Sequence, residues 1–425
     1  MRVFDRGPRA TGGRLSRLTA VLVAAVACAL VVACASGCSQ GRVGVPVGGS
    51  IAGSTTTGTA LPPLTVLTSD TSKGNGDIFI APAGGGYPAG PEIVTTTGEV
   101  VWFHRLPAGE IATDFRTQTY LGQPVLTWFQ SEGQGAPGGP GPSGPSGTDY
   151  IYNDSYQQIA TVRAGNGAAT NFHEFLITPQ NTALILAHTV TTANLTSIGG
   201  PADQQAIDGL VQEIDISTGR VLFQWDSAAH VPYADSYTPR PSSHGTPWDW
   251  FHINAVHLDT DGNLLVDSRN TWTTFKVDRH TGQIMWQLGG KHSSFTLSAA
   301  PGQVLNRDGK IFAWQHDPEA IGGGKYTFFD DESGDLLGSS RVVTVQLDLA
   351  GRVATLVTSD DQPEGQIAQS MGNAQTTPRG DLFVGWGDLP YISEFSPSGK
   401  LLFNAQLPAG VSSYRAYLLP WNPPS

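Results

Sequence analysis

Three histidines occupy matched positions in three successive copies of one repeated unit. They are His173 in FHEFLITP, His252 in FHINAVHLD and His316 in QHDPEAIGG, and each opens a short strand-like run. After His252 follow an apolar strand (NLLVDSRNT), an alternating strand with a turn (TTFKVDRHTG) and a return strand (IMWQLGG). If such units stack around an axis, equivalent positions on their first strands converge. Three imidazoles from distant parts of the chain would then meet in one cavity.

An arginine accompanies one of these histidines. Arg269 in LLVDSRNTW lies on the second strand of the unit that begins with His252. A guanidinium near the axis would be a permanently charged fork for an anion, whereas an ion pair with Asp267 would be purely structural. Asn254 and Asn270 flank the histidine and the arginine, and they are predicted to bind substrate and to orient these two residues.

Two kinds of chemistry fit histidines of this sort. Three imidazoles can bind zinc or copper, but no cysteine or paired carboxylate set accompanies them, so no metal is expected. The alternative is transfer of an anionic group, in which a neutral imidazole attacks sulfur or phosphorus, cations neutralise the oxygens and a second histidine protonates the departing oxygen. Without a phosphate-binding glycine loop or nucleotide motif, the donor should be a small ester, and no cofactor is expected.

Among the aromatic residues near the same strand ends, Trp250 and Trp272 are candidate walls of an aromatic-binding pocket.

The rest of the chain predicts an all-β fold. An alternating strand, a tight turn and an apolar return strand recur six times, at intervals of about fifty to seventy residues. We therefore expect a six-bladed β-propeller of four-stranded antiparallel blades. The predicted blades span 63–108, 109–165, 166–228, 245–292, 308–361 and 366–409, and the tail SYRAYLLPW is expected to pack across one end. His257 and His280 fall near turns and are expected at the surface.

The N-terminus has the features of an export signal. Five arginines precede an apolar stretch that ends in Val31-Val32-Ala33-Cys34, which resembles a lipoprotein processing box. We assign 1–38 to a signal or lipoprotein segment, 39–62 to a flexible Gly/Ser/Thr linker and 63–425 to the propeller. Lipid on Cys34, or less favourably on Cys38, would hold the protein on the outer face of a membrane. An uncleaved anchor or an ordinary signal peptide are the alternatives.

Charge narrows the choice of partners. Residues 1–33 contain five basic and one acidic residue, so their removal leaves 19 Lys+Arg against 35 Asp+Glu, a formal net charge of −16. Such a chain is a poor electrostatic match to nucleic acid. An anionic small-molecule substrate would need a locally positive pocket. The sequence carries no signal for the oligomeric state.

Long motifs in the chain resemble the arylsulfotransferase family. They include WDWFHINAV, SRNTW, QHD and HEFLITP, and the likeness runs from about residue 90 to the SYRAYLLPW tail. The resemblance implies a six-bladed propeller that moves a sulfuryl group from a phenolic sulfate ester to a phenolic acceptor through a covalent sulfohistidine, with ping-pong turnover. It implies that His316 is the nucleophile, that His252 and Arg269 are its partners, and that His173 is a further active-site histidine. A non-catalytic cell-surface propeller that binds an aromatic or sulfated ligand is the alternative function.

The anchor leads to a first prediction. Cys34→Ala should block processing or release the protein from the membrane fraction, because only the cysteine thiol can take the lipid. Fractionation followed by intact-mass measurement of the protein would test this. If Cys38→Ala has this effect and Cys34→Ala does not, the lipid is on Cys38; if neither changes the fractionation, the chain is not a lipoprotein.

Overall fold

The computed structural model describes residues 60–133, 146–332 and 337–422. The signal segment, nearly all of the linker and both candidate lipidation cysteines lie outside these residues. The described residues all belong to one compact unit, which spans Thr57–Ser425. That unit is a six-bladed β-propeller, as predicted.

The described residues form 26 strands and three short helices. The first twelve strands are β1 (Thr65–Ser69), β2 (Asp77–Gly84), β3 (Glu92–Thr95), β4 (Val100–Phe103), β5 (Ala112–Tyr120), β6 (Gln123–Ser131), β7 (Gly147–Tyr152), β8 (Gln158–Val162), β9 (Ala169–Ile177), β10 (Thr182–Ala193), β11 (Gln204–Asp215) and β12 (Val221–Asp226). The next nine are β13 (Ile253–Leu258), β14 (Leu264–Ser268), β15 (Thr273–Val277), β16 (Ile284–Gly289), β17 (Thr296–Ala299), β18 (His316–Gly322), β19 (Lys325–Asp330), β20 (Arg341–Asp348) and β21 (Val353–Asp361). The last five are β22 (Asn373–Thr376), β23 (Leu382–Gly385), β24 (Tyr391–Phe395), β25 (Leu401–Gln406) and β26 (Val411–Leu419). The α-helix is Ser227–His230, and two 3-10 turns span Thr196–Ile198 and Tyr233–Asp235.

The blades follow the predicted strand pattern, and the chain ends close the ring. Blades 2, 3 and 4 are the consecutive sets β5–β8, β9–β12 and β13–β16. Blade 5 is β18–β21 with β17 added in parallel to β21, and blade 6 is β22–β25 with β1 added to β25. Blade 1 has the order β26-β2-β3-β4, so its innermost strand comes from the C-terminus.

Two details of the predicted layout are wrong. The SYRAYLLPW tail does not pack across the propeller's end, because residues 411–419 form the inner strand of blade 1 and pair with β2. Residues 65–69, predicted in blade 1, extend the outer edge of blade 6 instead. Both differences have the same physical cause. A closed ring must join its first and last blades, and strand pairing of the chain ends across this junction removes unpaired edges.

Apolar packing between blades forms the core, which divides into several clusters around the ring. The cluster between blades 3 and 4 includes Leu184, Trp225, Phe251 and Val266, all buried. The return strands at the rim alternate in burial, as β12 does, because one of their faces meets water. No helix among the described residues has the length and hydropathy to cross a membrane.

The six innermost strands (β26, β5, β9, β13, β18 and β22) neighbour one another around the channel. Five of them show an irregularity in the pairing register with the second strand of their blade, and β22 pairs regularly. A bulge turns a side chain away from its regular direction in the sheet. The irregular positions include Asp114 in β5 and Asp317 in β18, and the site described below is built on them.

The closure predicts unequal roles for the two chain ends. Truncation after Gly410 should abolish cooperative thermal unfolding, because it exposes the inner edge of blade 1 and removes buried side chains of β26. Deletion of residues 60–70 removes only a largely exposed outer strand and should lower Tm while the transition stays cooperative. Circular dichroism melts of both variants would measure this. A cooperative transition in the C-terminal truncation would contradict the assigned closure.

Candidate active site

The structure brings the three matched histidines together in the channel. His316 is the first residue of β18, His252 directly precedes β13, and His173 lies within β9. The ring centroids of His173 and His252 are 5.1 Å apart, and those of His173 and His316 are 6.4 Å apart. The radial repeat therefore converges three imidazoles, as the matched sequence positions predict.

Each imidazole is held at Nδ1 by a polar partner. Nδ1 of His316 lies 2.7 Å from Oδ2 of Asp331, and Nδ1 of His252 lies 2.5 Å from Oδ2 of Asp249. Nδ1 of His173 lies 2.5 Å from the side-chain oxygen of Asn171. A partner at one ring nitrogen fixes the ring orientation and leaves Nε2 as the nitrogen for chemistry.

Burial and neighbouring charge keep two of the rings neutral. Burial lowers the pKa of His316 well below its usual value, and Arg269 and His252 lower it further, while a backbone hydrogen bond with Trp314 acts the other way. The pKa of His173 is also well below its usual value, because of burial first and then the other two histidines. A neutral imidazole has a free lone pair, which a nucleophile requires.

The carboxylate partners differ in their electrostatics. Burial raises the pKa of Asp331, and the charge of Arg269 acts against that rise. Burial also opposes ionisation of Asp249, but the charge of His252 and its hydrogen bond outweigh this, so the pKa of Asp249 is lowered. An ionised Asp249 therefore lies beside the most exposed of the three rings, whose side chain is 23% accessible.

Arg269 directly follows β14 of blade 4 and reaches toward the segments that flank blade 5. Its backbone N–H donates to the carbonyl of His252 over 3.0 Å. Its Nη2 donates to the Gln369 carbonyl over 2.7 Å, and its Cζ lies 4.9 Å from the ring centroid of Trp314. Its Nε is buried without a hydrogen-bond partner among the described residues. The guanidinium thus keeps an unused donor near the imidazoles. Asp267, the alternative partner considered from sequence, accepts from Thr274 and Gln315 instead.

The two asparagines make interstrand links next to the site. The Asn254 side chain donates to the Gln315 carbonyl over 2.7 Å and so ties blade 4 to the residue before His316. The Asn270 side chain donates to the Asp249 carbonyl over 2.6 Å. Both therefore position the segments that carry the histidines and their carboxylate partners.

The two tryptophans lie in different settings. Trp250 is fully buried in the core and packs against Tyr233 and Phe251, with centroid distances of 4.5 and 5.3 Å. Trp272 stacks on Tyr237 at 3.6 Å and meets the edge of Trp314 at 5.2 Å. Trp272 contacts Trp314, and Trp314 in turn lies under the guanidinium of Arg269, so Trp272 is one ring away from the site. Trp250 instead packs in the core of the blade.

A layer of buried charges fills the channel next to the histidines, and we call it the ion layer. Its formally cationic members are Arg116, His257 and Arg415, and its carboxylates are Asp114, Glu174 and Asp317. Arg415 lies 2.9 Å from Glu174 and 3.1 Å from Asp114, and His257 lies 3.2 Å from both Glu174 and Asp317. Burial opposes each charge, but pairing within the layer makes the charges tolerable.

The ion layer is joined to the histidines along the backbone. Glu174 directly follows His173 and Asp317 directly follows His316. His252, Asp114 and Asp317 adopt φ angles of 52°, 52° and 53°, in the left-handed region that such residues seldom occupy. This conformation at the bulges lets neighbouring residues on one strand supply an imidazole and a carboxylate to adjacent layers.

Sequence reasoning missed several of these residues. His257 was expected at the surface, but it is only 8% exposed and lies within the ion layer, so that prediction is wrong. Arg415 was missed because it belongs to the tail, whose position was also predicted wrongly. Asp114, at the matched position in blade 2, lies in the ion layer instead of the histidine cluster. The sequence did contain one signal for the ion layer: a carboxylate directly follows a channel histidine in His173-Glu174 and in His316-Asp317.

One group of residues has metal-ligand chemistry. Donor atoms of Glu174, His257 and Asp317 all lie within 4.8 Å of one another. The guanidinium of Arg415 contacts the same carboxylates, at 2.9 Å from Glu174 and 3.4 Å from Asp317. The positive charge that a cation would bring is therefore already supplied by the chain.

Comparison with known protein families shows the family to which this chain belongs. The sequence profile of the arylsulfotransferase (ASST) family matches residues 116–407. The chain belongs to the arylsulfotransferase family. Membership supports a transferase role in general, and the matched range includes all three histidines and Arg269. No curated protein sequence matched this arylsulfotransferase-family chain.

Solved structures show only distant likeness. A Bacteroides caccae protein of unknown function has a TM-score of 0.47 at 13% identity, covering 80% of this chain and 98% of the other. Virginiamycin B lyase from Staphylococcus aureus has a TM-score of 0.37 at 9% identity, covering 80% and 87%. The Cps50 (Swd1) β-propeller domain of Myceliophteria thermophila has a TM-score of 0.37 at 11% identity, covering 80% and 89%. At these scores the likenesses carry no argument.

The ion layer predicts a pH-dependent stability effect at His257. Glu174 and Asp317 outweigh the burial penalty and raise the pKa of His257 to about 10. Because the folded pKa is raised, the stabilisation is complete below the unfolded value near 6.5 and is lost as the pH rises toward 10. His257→Gln should therefore lower stability by about 3–5 kcal/mol at pH 6, the usual cost of breaking a buried ion pair, and by less at pH 10.

Thermal melts across pH 6–10 would measure this difference. His280→Gln, a change at an exposed turn, is the matched control and should follow the wild type throughout. A His257→Gln deficit that is constant with pH would show that His257 is neutral in the folded protein.

Proposed function

We propose that the protein transfers a sulfuryl group from a phenolic sulfate ester to a phenolic acceptor through a sulfohistidine on His316. The observation that carries this proposal is the convergence of three imidazoles beside Arg269, with His316 buried and held at Nδ1 by Asp331. The family provides the general transferase role. The residues add the identity of the nucleophile and the order of steps.

In the first half-reaction, Nε2 of His316 attacks the sulfur of the bound ester. The N–S bond forms as the bond from sulfur to the aryl oxygen breaks, and the aryl oxygen leaves with the bonding electron pair. His252 donates a proton to that oxygen, because Asp249 holds its Nδ1 and leaves Nε2 to act as the general acid. The donor leaves as a phenol, and the sulfuryl group remains on His316.

In the second half-reaction, a phenolic acceptor replaces the departed phenol. His252, now neutral, removes the proton of the acceptor hydroxyl as its oxygen attacks sulfur. The new S–O bond forms as the N–S bond breaks, and His316 recovers its lone pair. The protons balance over the cycle, so no cofactor is required.

Charge stabilisation falls to Arg269, and His173 acts by positioning the other two rings. A loose transition state places negative charge on the outer sulfuryl oxygens and on the leaving oxygen, so fixed positive donors lower its energy. Arg269 has an unpaired Nε for this purpose, and His173 contacts both other rings. Asn254 and Asn270 act by positioning.

We also propose that the protein works outside the cytoplasmic membrane, tethered there by a lipid on Cys34. The arginine-rich start, the apolar run and the processing box support this placement. Its partners would then be the membrane and small aryl compounds. The negative charge of the remaining chain disfavours nucleic acid.

The mechanism predicts a trappable intermediate. Brief exposure to an aryl sulfate without phenol should add one sulfuryl mass to the peptide Phe312–Tyr326, because covalent catalysis divides the reaction into two steps. The adduct should be acid-labile, as an N–S bond is, and should disappear when phenol is added. Peptide mass spectrometry after rapid mixing would detect it.

Variants separate the roles of the residues. His316→Asn should abolish adduct and turnover, while His252→Asn and Arg269→Ala should slow transfer by about 10²–10⁴, the range for losing a general acid or a charge donor. His244→Asn, at an exposed loop, is the control. An adduct on His252 would reverse the assigned roles. Binding of aryl sulfates without adduct or turnover would instead support a non-catalytic propeller.

A further inference from the structure

A cavity of about 910 Å³ lies next to the histidines, on the side of blades 1 and 2. Its size falls within the roughly 300–1,000 Å³ of small-molecule sites. The apolar part of its wall includes Tyr87, Leu106, Ile111 and Met371. In contrast, the cavity that touches His173 and His252 directly is only about 10 Å³. The space for an organic ring is therefore beside the histidine cluster.

Tyr414 forms the boundary between the larger cavity and the histidines. It lines the cavity, and its ring meets the edge of His173 at 5.7 Å and of Phe172 at 5.6 Å. Tyr414 is 2% exposed, and its hydroxyl has no hydrogen-bond partner in the part of the chain that the structure describes. Buried hydroxyl groups without a partner are rare in proteins, so this one has a donor free for a ligand or a water molecule. Burial raises the pKa of Tyr414 well above its usual value, so the hydroxyl remains a donor.

Arg105 lines the same cavity with an exposed side chain. Within residues 60–133, 146–332 and 337–422 it makes no ion pair or hydrogen bond. The nearby carboxylate of Glu110, in contrast, accepts from the Gln130 amide over 2.8 Å. Arg105 therefore places a positive charge without a carboxylate partner at the wall of a cavity beside the site.

We propose that this cavity binds the aromatic ring of the substrate, with the aryl oxygen at the Tyr414 hydroxyl and an anionic ring substituent at Arg105. The preferred substrates are thus phenols, and their sulfate esters, that carry a carboxylate or similar group. This inference rests on the proposed function for the identity of the reacting oxygen. It adds a binding subsite, a specificity residue and the charge of the preferred compounds.

Direct binding tests the inference without turnover. Isothermal titration calorimetry of the wild type should show tighter binding of 4-hydroxybenzoate than of its neutral amide. Arg105→Ala should weaken only the carboxylate, by about two- to fivefold, because the pair is solvent-exposed. Arg105→Glu should reverse the preference. Arg220→Ala, at an exposed turn of blade 3, is the matched control and should match the wild type.

A second pair of ligands isolates Tyr414. Tyr414→Phe keeps the ring and should weaken 4-hydroxybenzoate by about fivefold, the scale of one hydrogen bond, while leaving benzoate unchanged. Equal effects on the two ligands would show that Tyr414 acts only through packing and would overturn its assignment. A melting temperature like that of the wild type would confirm that the variant is folded.

The outcomes distinguish this inference from the proposed function. If the wild type binds with the stated preferences but transfers no sulfuryl group, the subsite stands and the proposed reaction fails. If the wild type transfers sulfuryl groups but the Arg105 and Tyr414 variants bind every ligand normally, the reaction stands and the subsite is overturned. Absence of binding by all three ligands at millimolar concentration would also overturn the subsite.

Discussion

Charge balance in the centre of the propeller is the constraint on which the rest of the structure depends. Three carboxylates and three cationic groups from the inner strands share a space that water does not reach. Although burial alone raises the pKa of Glu174, the charges of Arg415, His257 and Arg116 bring it well below its usual value. Removing one member leaves its partner charged and buried, which costs several kcal/mol. The arrangement of six blades is therefore coupled to a single electrostatic cluster.

The same cluster explains why the inner strands are irregular. The side chain of Asp114 in blade 2 accepts a hydrogen bond from the Phe175 backbone in blade 3. The side chain of Asp317 in blade 5 likewise accepts one from the Ala374 backbone in blade 6. Both aspartates adopt the left-handed conformation, which costs on the order of 1–3 kcal/mol each. The ion pairs and interblade hydrogen bonds hold this strained backbone in place. A rigid support thus fixes the backbone that carries His316.

The sequence predicts the repeat well and the ion layer poorly. Six strand-turn-strand copies and three histidines at equal positions were sufficient for the blade number and for the convergence of the imidazoles, because radial symmetry converts matched positions into proximity. The positions of His257 and Arg415 in the ion layer were not predicted, because they depend on how the ring closes and on which side chain a bulge turns inward. The core position of Trp250 was ambiguous for a related reason: aromatic side chains at strand ends serve blade packing as often as ligand contact.

Closure by the last strand completes the centre of the channel. Arg415 and Tyr414 belong to β26, so neither the balanced centre nor the wall beside His173 exists until the final residues have been made and have joined blade 1. A nascent chain that already contains all three histidines still lacks the neutralising guanidinium. The centre of the channel is thus completed in one late event, and a prematurely ended chain lacks it even though all three histidines are present.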